Sequence, residues 1–196
     1  AVQGNPRAAM PLGAVMQEVA GDSPASLDDL IRTAKTDVID SSLSAEVRRV
    51  ATLVWDVCQE DLRLRDHTLR GLVDCLRALL VEMHRYRAYV VPHTPTPQSS
   101  RNVIADAARR AMKGLDEDLG DTMDVLTALV LGEEVGSAGL SSTDDRRDEI
   151  AVRFQQVCGA VMAKGVEDTA YYRWTHLTSL TEVGGAPGRF GIDPDS

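Results

Sequence analysis

Apolar residues recur every three or four positions through most of this 196-residue chain, which is the spacing of one face of an α-helix. Long stretches that alternate apolar and polar residues, as half-buried strands do, do not occur in the sequence. The clearest helix is predicted over residues 27–40, where Ser26 and Asp29 resemble a capping box. Further helices are predicted after Ser44, after Asp66 as N-cap, after Ser99 or Ser100, over 119–131, and after Ser142 with Asp145. The pattern predicts a mainly α-helical fold of about seven helices.

Three prolines within six residues, Pro92, Pro95 and Pro97, form the clearest interruption of this pattern. Proline removes a backbone donor and holds the residue before it extended, so the segment cannot be helical. Residues 1–25 carry several glycines and prolines and are predicted to be irregular. The predicted division is an irregular lead-in at 1–25, a helical segment at 26–91, a proline-rich linker at 92–98, a second helical segment at 99–160, and a C-terminal part at 161–196.

The formal net charge of -9 and the pI of about 4.9 would repel a phosphate backbone, so we expect no nucleic-acid partner. No run approaches the roughly 20 apolar residues of a membrane span, and no signal-peptide pattern is present, so no membrane partner is expected. The sequence begins at Ala1 instead of Met, which suggests processing or a fragment.

The cysteines and histidines predict neither a disulfide framework nor a metal site. Three cysteines form no C-x-x-C pair, and the four histidines show no ligand spacing. A reducing, cytoplasmic location is the natural interpretation, with no cofactor implied. The cysteines lie on or beside apolar helix faces and are expected to be buried and inert: Cys58, Cys75 and Cys158.

The most informative pattern lies near the C-terminus. Residues 162–174 read MAKGVEDTAYYRW and residues 180–191 read LTEVGGAPGRFG. They resemble the signature of the maltooligosyltrehalose synthases, approximately MAKGVEDTAFYRY followed by NEVGGDP. Weaker similarity occurs at Ala34-Lys35, at 44–49 and at 86–90. Thr181 and Ala186 depart from the family's usual Asn and Asp.

The resemblance implies a (1→4)-α-D-glucan 1-α-D-glucosylmutase, an α-amylase-type isomerase that turns the terminal α-1,4 bond of a maltooligosaccharide into an α,α-1,1 bond for trehalose biosynthesis. A retaining enzyme of this kind needs two carboxyl groups roughly 5 Å apart, at the C-terminal face of a (β/α)8 barrel. The resemblance implies that these catalytic carboxylates lie outside this chain, which ends at Ser196. The chain is then expected to be a helical insertion of the barrel enzyme, inactive alone, with 161–196 as a loop and helix flanking the active site.

The resemblance also implies substrate-binding residues. Lys164 would donate hydrogen bonds to sugar hydroxyls, Glu167 and Asp168 would accept them, and Gly165 would act as the hinge of an enclosing loop. The complete expected set is Lys164, Glu167, Asp168, Tyr172, Arg173 and Glu182. In this set Tyr172 would stack on a glucosyl ring, and Arg173 would bind a hydroxyl or order Glu167.

Structural interpretations of the same residues stay open. Glu167 and Asp168 could be acids in the first turn of a helix, where they complement its dipole. Tyr171 and Trp174 share a face and are better assigned to the core, whereas Tyr172 and His176 share another face and are the better candidates for the site. Glu182 could belong to a simple turn. The alternative function is a stand-alone helical interaction module without catalysis.

Overall fold

The computed structural model describes residues 26–136 and 145–174. They form six long α-helices: α1 (Leu27–Asp40), α2 (Ser44–Glu60), α3 (Leu69–Glu82), α4 (Gln98–Ala111), α5 (Gly120–Val130) and α6 (Asp145–Val161). Two 3-10 turns, Met112–Gly114 and Glu117–Leu119, join α4 to α5. The described residues contain no strand, which confirms the mainly α prediction.

Helix α1 begins and ends where its sequence pattern predicts. The Ser26 hydroxyl oxygen accepts a hydrogen bond from the backbone N–H of Asp29 at 3.1 Å, and it donates to the Asp29 carboxylate at 2.7 Å. This contact satisfies one of the backbone donors that the first turn of a helix leaves unpaired.

Residues Thr36–Met162 form one of two compact units. Within it, α3 packs against α2, α4 and α5, and α6 packs against α2 and α5. Their apolar faces share a single core that includes Val54, Leu72, Leu76, Ile104, Leu126 and Phe154. Val90 and Ile104, on either side of the proline-rich segment, belong to this core. Residues 92–98 therefore join two helices of one unit, because the apolar faces on both sides are buried together.

The second unit comprises Ala1–Lys35 and Ala163–Ser196, of which residues 26–35 and 163–174 are described. Its core in these ranges is small. Leu30, Ala34 and Ala170 are buried against one another, and Ile31 and Trp174 pack on them. The placement of Trp174 in a core agrees with its sequence assignment.

Two predicted helix starts are wrong. Helix α3 is capped by Thr68, whose side chain accepts from the N–H of Gly71 at 3.1 Å, and not by Asp66. Asp66 ends a run of turns, and the N–H of His67 donates to the carbonyl oxygen of Leu64 at 3.2 Å within it. Helix α4 begins after Pro97 and not at a serine cap, because the extended Pro97 offers its carbonyl to the N–H of Ser100. The Ser142 cap lies outside the described residues.

The cysteines are where the sequence places them: all three are free and buried. Burial raises the pKa of the Cys58 and Cys75 thiols to about 11, with smaller contributions from Asp61 and Asp74 respectively. A thiol with this pKa is protonated, and therefore unreactive, at neutral pH. Among the described helices, none is both long and apolar enough to cross a bilayer.

Candidate functional site

The segment that matches the signature adopts an unusual backbone. Met162–Ala170 is a nine-residue π-helix that continues directly from α6 and leads into one α-helical turn, Tyr171–Arg173. The Thr169 hydroxyl donates to the carbonyl oxygen of Lys164, five residues earlier, at 2.7 Å. π-Helices are rare and occur frequently at functional sites. The backbone itself therefore marks this segment as a candidate site.

This geometry corrects two expectations. Glu167 and Asp168 lie in the interior of the π-helix and not in the first turn of a helix, so they do not complement a helix N-terminus. The segment around Gly165 is helical and not a loop, because α6 continues into it without interruption. Gly165 packs closely against α1 in this structure, and its role as the hinge of an enclosing loop stays a prediction.

The inner face of the π-helix is buried and closely packed. Gly165, Val166 and Ala170 form this face. A Cβ atom added to Gly165 would lie 2.9 Å from Cγ and 3.0 Å from Cα of Lys35 in α1. Because backbone atoms cannot move aside as a flexible side chain can, only glycine fits at this position. Lys35 itself is 1 % exposed. Neither the close approach nor the burial of Lys35 was identified from the sequence.

The outer face carries most of the predicted binding residues. Lys164, Asp168 and Tyr172 follow one another at intervals of four residues and are all exposed, as is Arg173. The Tyr172 side chain is 82 % exposed, so its ring is available to a ligand. Glu167 is half-buried. Glu182 and His176 lie outside the described residues.

Tyr171 is a neighbour of Glu167. The sequence analysis assigned Tyr171 only to the core. It is half-buried, and its pKa is raised, first by burial and second by the negative charge of Glu167. The phenol therefore stays protonated at neutral pH and remains a hydrogen-bond donor. A spacing of four residues on a helix was the signal that could have identified this pair.

Chemically, the outer face offers an ammonium donor at Lys164, a carboxylate acceptor at Asp168 and an aromatic ring at Tyr172 within nine residues of chain. Donors, acceptors and a ring face together suit a neutral ligand rich in hydroxyl groups. Across residues 26–136 and 145–174, no group of three or more His, Cys, Asp or Glu side chains is arranged to hold a metal ion.

Comparison with known proteins first defines the class: the chain is similar to one segment of a much longer protein. The relatives are two curated proteins of Mycobacterium tuberculosis, from strains CDC 1551 / Oshkosh and ATCC 25618 / H37Rv, each named as a maltooligosyl trehalose synthase. Each is 32% identical over 190 residues, which is 92% of this chain and 21% of the relative. The resemblance carried by residues 162–174 is thereby confirmed, and the chain spans about a fifth of these relatives' length. No protein-family model and no solved structure matches the chain.

Proposed function

We propose that this chain is part of an intramolecular glucosyl transferase that converts the terminal α-1,4 bond of a maltooligosaccharide into an α,α-1,1 bond. Its contribution is to bind the sugar and exclude water while the released glucosyl unit turns. The catalytic carboxylates come from the remainder of the parent enzyme. The free, buried cysteines of the chain suit a cytoplasmic enzyme.

The observation that carries the proposal is the coincidence of three features in one segment. The unbroken signature match Met162–Ala170 is the π-helix. Its inner face requires a glycine. Its outer face exposes Lys164 and Asp168, and Tyr172 is exposed in the α-helical turn that follows. The rare helix type is the feature that favours a functional role over a purely structural one. The names of the two relatives supply the substrate class.

Each side chain has a role in this proposal. Lys164 donates to sugar hydroxyls and Asp168 accepts from them, while Tyr172 packs its ring on the apolar face of a glucosyl unit. Glu167, held beside Tyr171, accepts a further hydroxyl. Arg173 either binds a hydroxyl or orders Glu167, and Glu182 adds an acceptor. Water exclusion matters because hydrolysis of the intermediate competes with transfer to the retained glucose.

The test uses Lys164→Ala and Asp168→Ala in the complete enzyme with maltopentaose as substrate. We expect kcat to fall by at least about tenfold with the melting temperature unchanged, since both side chains are exposed. Lys113→Ala and Asp118→Ala are matched controls, because these side chains are also exposed but lie in the 3-10 turns of the other unit. The controls should keep native kcat.

The alternative, a helical interaction module without catalysis, gives the opposite result. Under it, Lys164→Ala and Asp168→Ala would leave turnover of maltopentaose unchanged and would alter only stability or the binding of a partner. Equal kcat in the variants and the controls would therefore refute the proposal.

A further inference from the structure

A second set of exposed side chains lies in the other unit, within five residues of the irregular segment between α3 and α4. Arg85, Arg87 and Tyr89 are exposed, and the Tyr89 ring is 68% exposed. The neighbours of Tyr89 are buried: Ala88 is 2% exposed and Val90 is 5% exposed. The backbone is thus anchored in the core on both sides of a side chain that points to solvent.

The anchor is a buried amide. The Gln155 side chain on α6 is only 8% exposed. Its Oε1 accepts from the N–H of Val90 at 3.0 Å, and its Nε2 donates to the carbonyl oxygen of Val90 at 2.8 Å. The same Nε2 donates to the carbonyl oxygen of Ala151 at 3.2 Å. The Gln155 amide fixes the position of Val90, because it pairs with both backbone polar groups of Val90 in the way that a neighbouring strand pairs with a residue of a sheet.

Tyr89 sits in a backbone conformation that tyrosine disfavours. Its φ is +56°, in the left-handed region, where a bulky residue is an outlier and glycine or asparagine is comfortable. Packing does not explain the tyrosine, because the ring is mostly exposed. Strained residues of this kind persist when the surrounding structure holds them, and they cluster at functional sites. We therefore attribute the tyrosine at position 89 to a role of its exposed ring.

From this geometry we propose that Tyr89, with Arg85 and Arg87, forms a second sugar-contact site that receives a glucosyl ring of an α-glucan chain. The inference rests on the proposed function, which supplies the ligand class. The apolar C–H face of a pyranose packs on the tyrosine ring. Within the described residues neither guanidinium forms an ion pair or hydrogen bond, so both are available to donate to sugar hydroxyls. Gln155 is a positioning residue that acts through Val90.

The test measures two quantities on the 196-residue chain. Calorimetric titration with maltoheptaose gives the binding affinity, and thermal unfolding gives Tm. Tyr89→Gly is the decisive variant, because it relieves the backbone strain and removes the ring. It should raise Tm and weaken maltoheptaose binding by roughly fivefold. Tyr89→Phe should bind within about twofold of the native chain. Leu62→Ala, at a side chain 74% exposed in a turn of the same unit, should change neither quantity.

Three outcomes overturn the inference. Native affinity in Tyr89→Gly would show that the ring contacts no sugar. A lower Tm with native affinity would show that the ring packs against another part of the protein. A native chain that binds no maltoheptaose would remove the site altogether. None of these results would touch the Lys164 test, which is read from kcat of the complete enzyme.

Discussion

Helix α3 and the π-helix Met162–Ala170 both bury one face, yet different forces shape them. Helix α3 has a threonine cap, and its buried leucines Leu72, Leu76 and Leu79 recur at intervals of three and four residues. The π-helix buries Gly165, Val166 and Ala170, and its inner face is fitted to Lys35, which is far away in sequence. One helix is specified locally and the other by a tertiary contact.

This difference in how the two helices are specified bears on the residues proposed to bind sugar. A locally specified helix tolerates change on its outer face and loses stability when its core is altered. A helix whose hydrogen bonding departs from the α pattern needs its partner element to keep that geometry. Three of the residues proposed to bind sugar, Lys164, Glu167 and Asp168, lie on the second kind of helix, where backbone geometry sets the spacing of the side chains.

The largest expected effect is on α3. Leu76→Ala removes a side chain that is 1% exposed, and we expect it to lower the free energy of unfolding by about 2–5 kcal/mol because a cavity remains. Urea denaturation measures the loss. Leu62→Ala, at an exposed position, should stay within about 0.5 kcal/mol of the native chain. A loss at Leu76 no larger than that of the control would contradict the assignment of α3 to the core.

The π-helix should lose stability when a methyl group is added at its inner face, whereas α3 loses stability when a buried side chain is shortened. Gly165→Ala places a Cβ against the backbone of Lys35, so we expect a loss of about 1–3 kcal/mol from overpacking. Gly120→Ala is the matched control: this glycine is in the right-handed helical region and has open space around it. It should be neutral or stabilising by up to about 1 kcal/mol. The comparison fails if both alanines behave alike.

The sequence predicted α1 with its cap and the apolar face of α3, although not the Thr68 cap of α3, because these signals are local. Period and cap residues lie within one or two turns, so Leu27–Asp40 matches its predicted bounds. The π-helix was not predicted, since a glycine required by contact with Lys35 looks in sequence like a hinge. A weak signal existed: the buried residues Val161 and Val166 are five positions apart, which is wider than an α-helix face prefers.

The candidate site divides in the same way. Its residue types followed from the signature, which implied a set of six residues. The structure shows four of them, Lys164, Asp168, Tyr172 and Arg173, exposed on one short segment and Glu167 half-buried, while Glu182 lies outside the described residues. The left-handed backbone of Tyr89 could not be predicted, because nothing in its own sequence requires a positive φ. The hydrogen bonds that fix the adjacent Val90 come from Gln155, 65 positions farther along the chain.

The buried thiol of Cys75 on α3 predicts how the stability of the protein changes at alkaline pH. The pKa of Cys75 is raised from 9.0 to about 11, chiefly by burial and secondly by Asp74. Below pH 9 the thiol is neutral in both states. Between pH 9 and 11 the unfolded chain loses the proton first, so stability falls as pH rises.

The loss from this thiol should be about 1 kcal/mol at pH 10. Cys75→Ala should make that part of the stability profile less steep in urea denaturation at pH 8 to 11. The similarly raised pKa of Cys58 keeps the rest of the slope. Tyr171→Phe, just after the π-helix, should instead change the stability profile only above about pH 10, where a tyrosine titrates. Burial also raises the pKa of Tyr171. An unchanged slope in Cys75→Ala would contradict the assigned burial of the thiol.

The smallest expected effect concerns the helix starts, where two hydroxyl residues that look alike in sequence behave differently in the structure. Thr68 accepts from the N–H of Gly71, so Thr68→Ala should cost roughly 0.5–1 kcal/mol in urea denaturation. Ser99 was a candidate cap but lies inside α4, which begins after Pro97. Ser99→Ala should therefore be neutral or slightly stabilising, because alanine has the higher helix propensity. Equal losses would mean that α4 begins at the serine, and that its start follows the local rule that holds for α3.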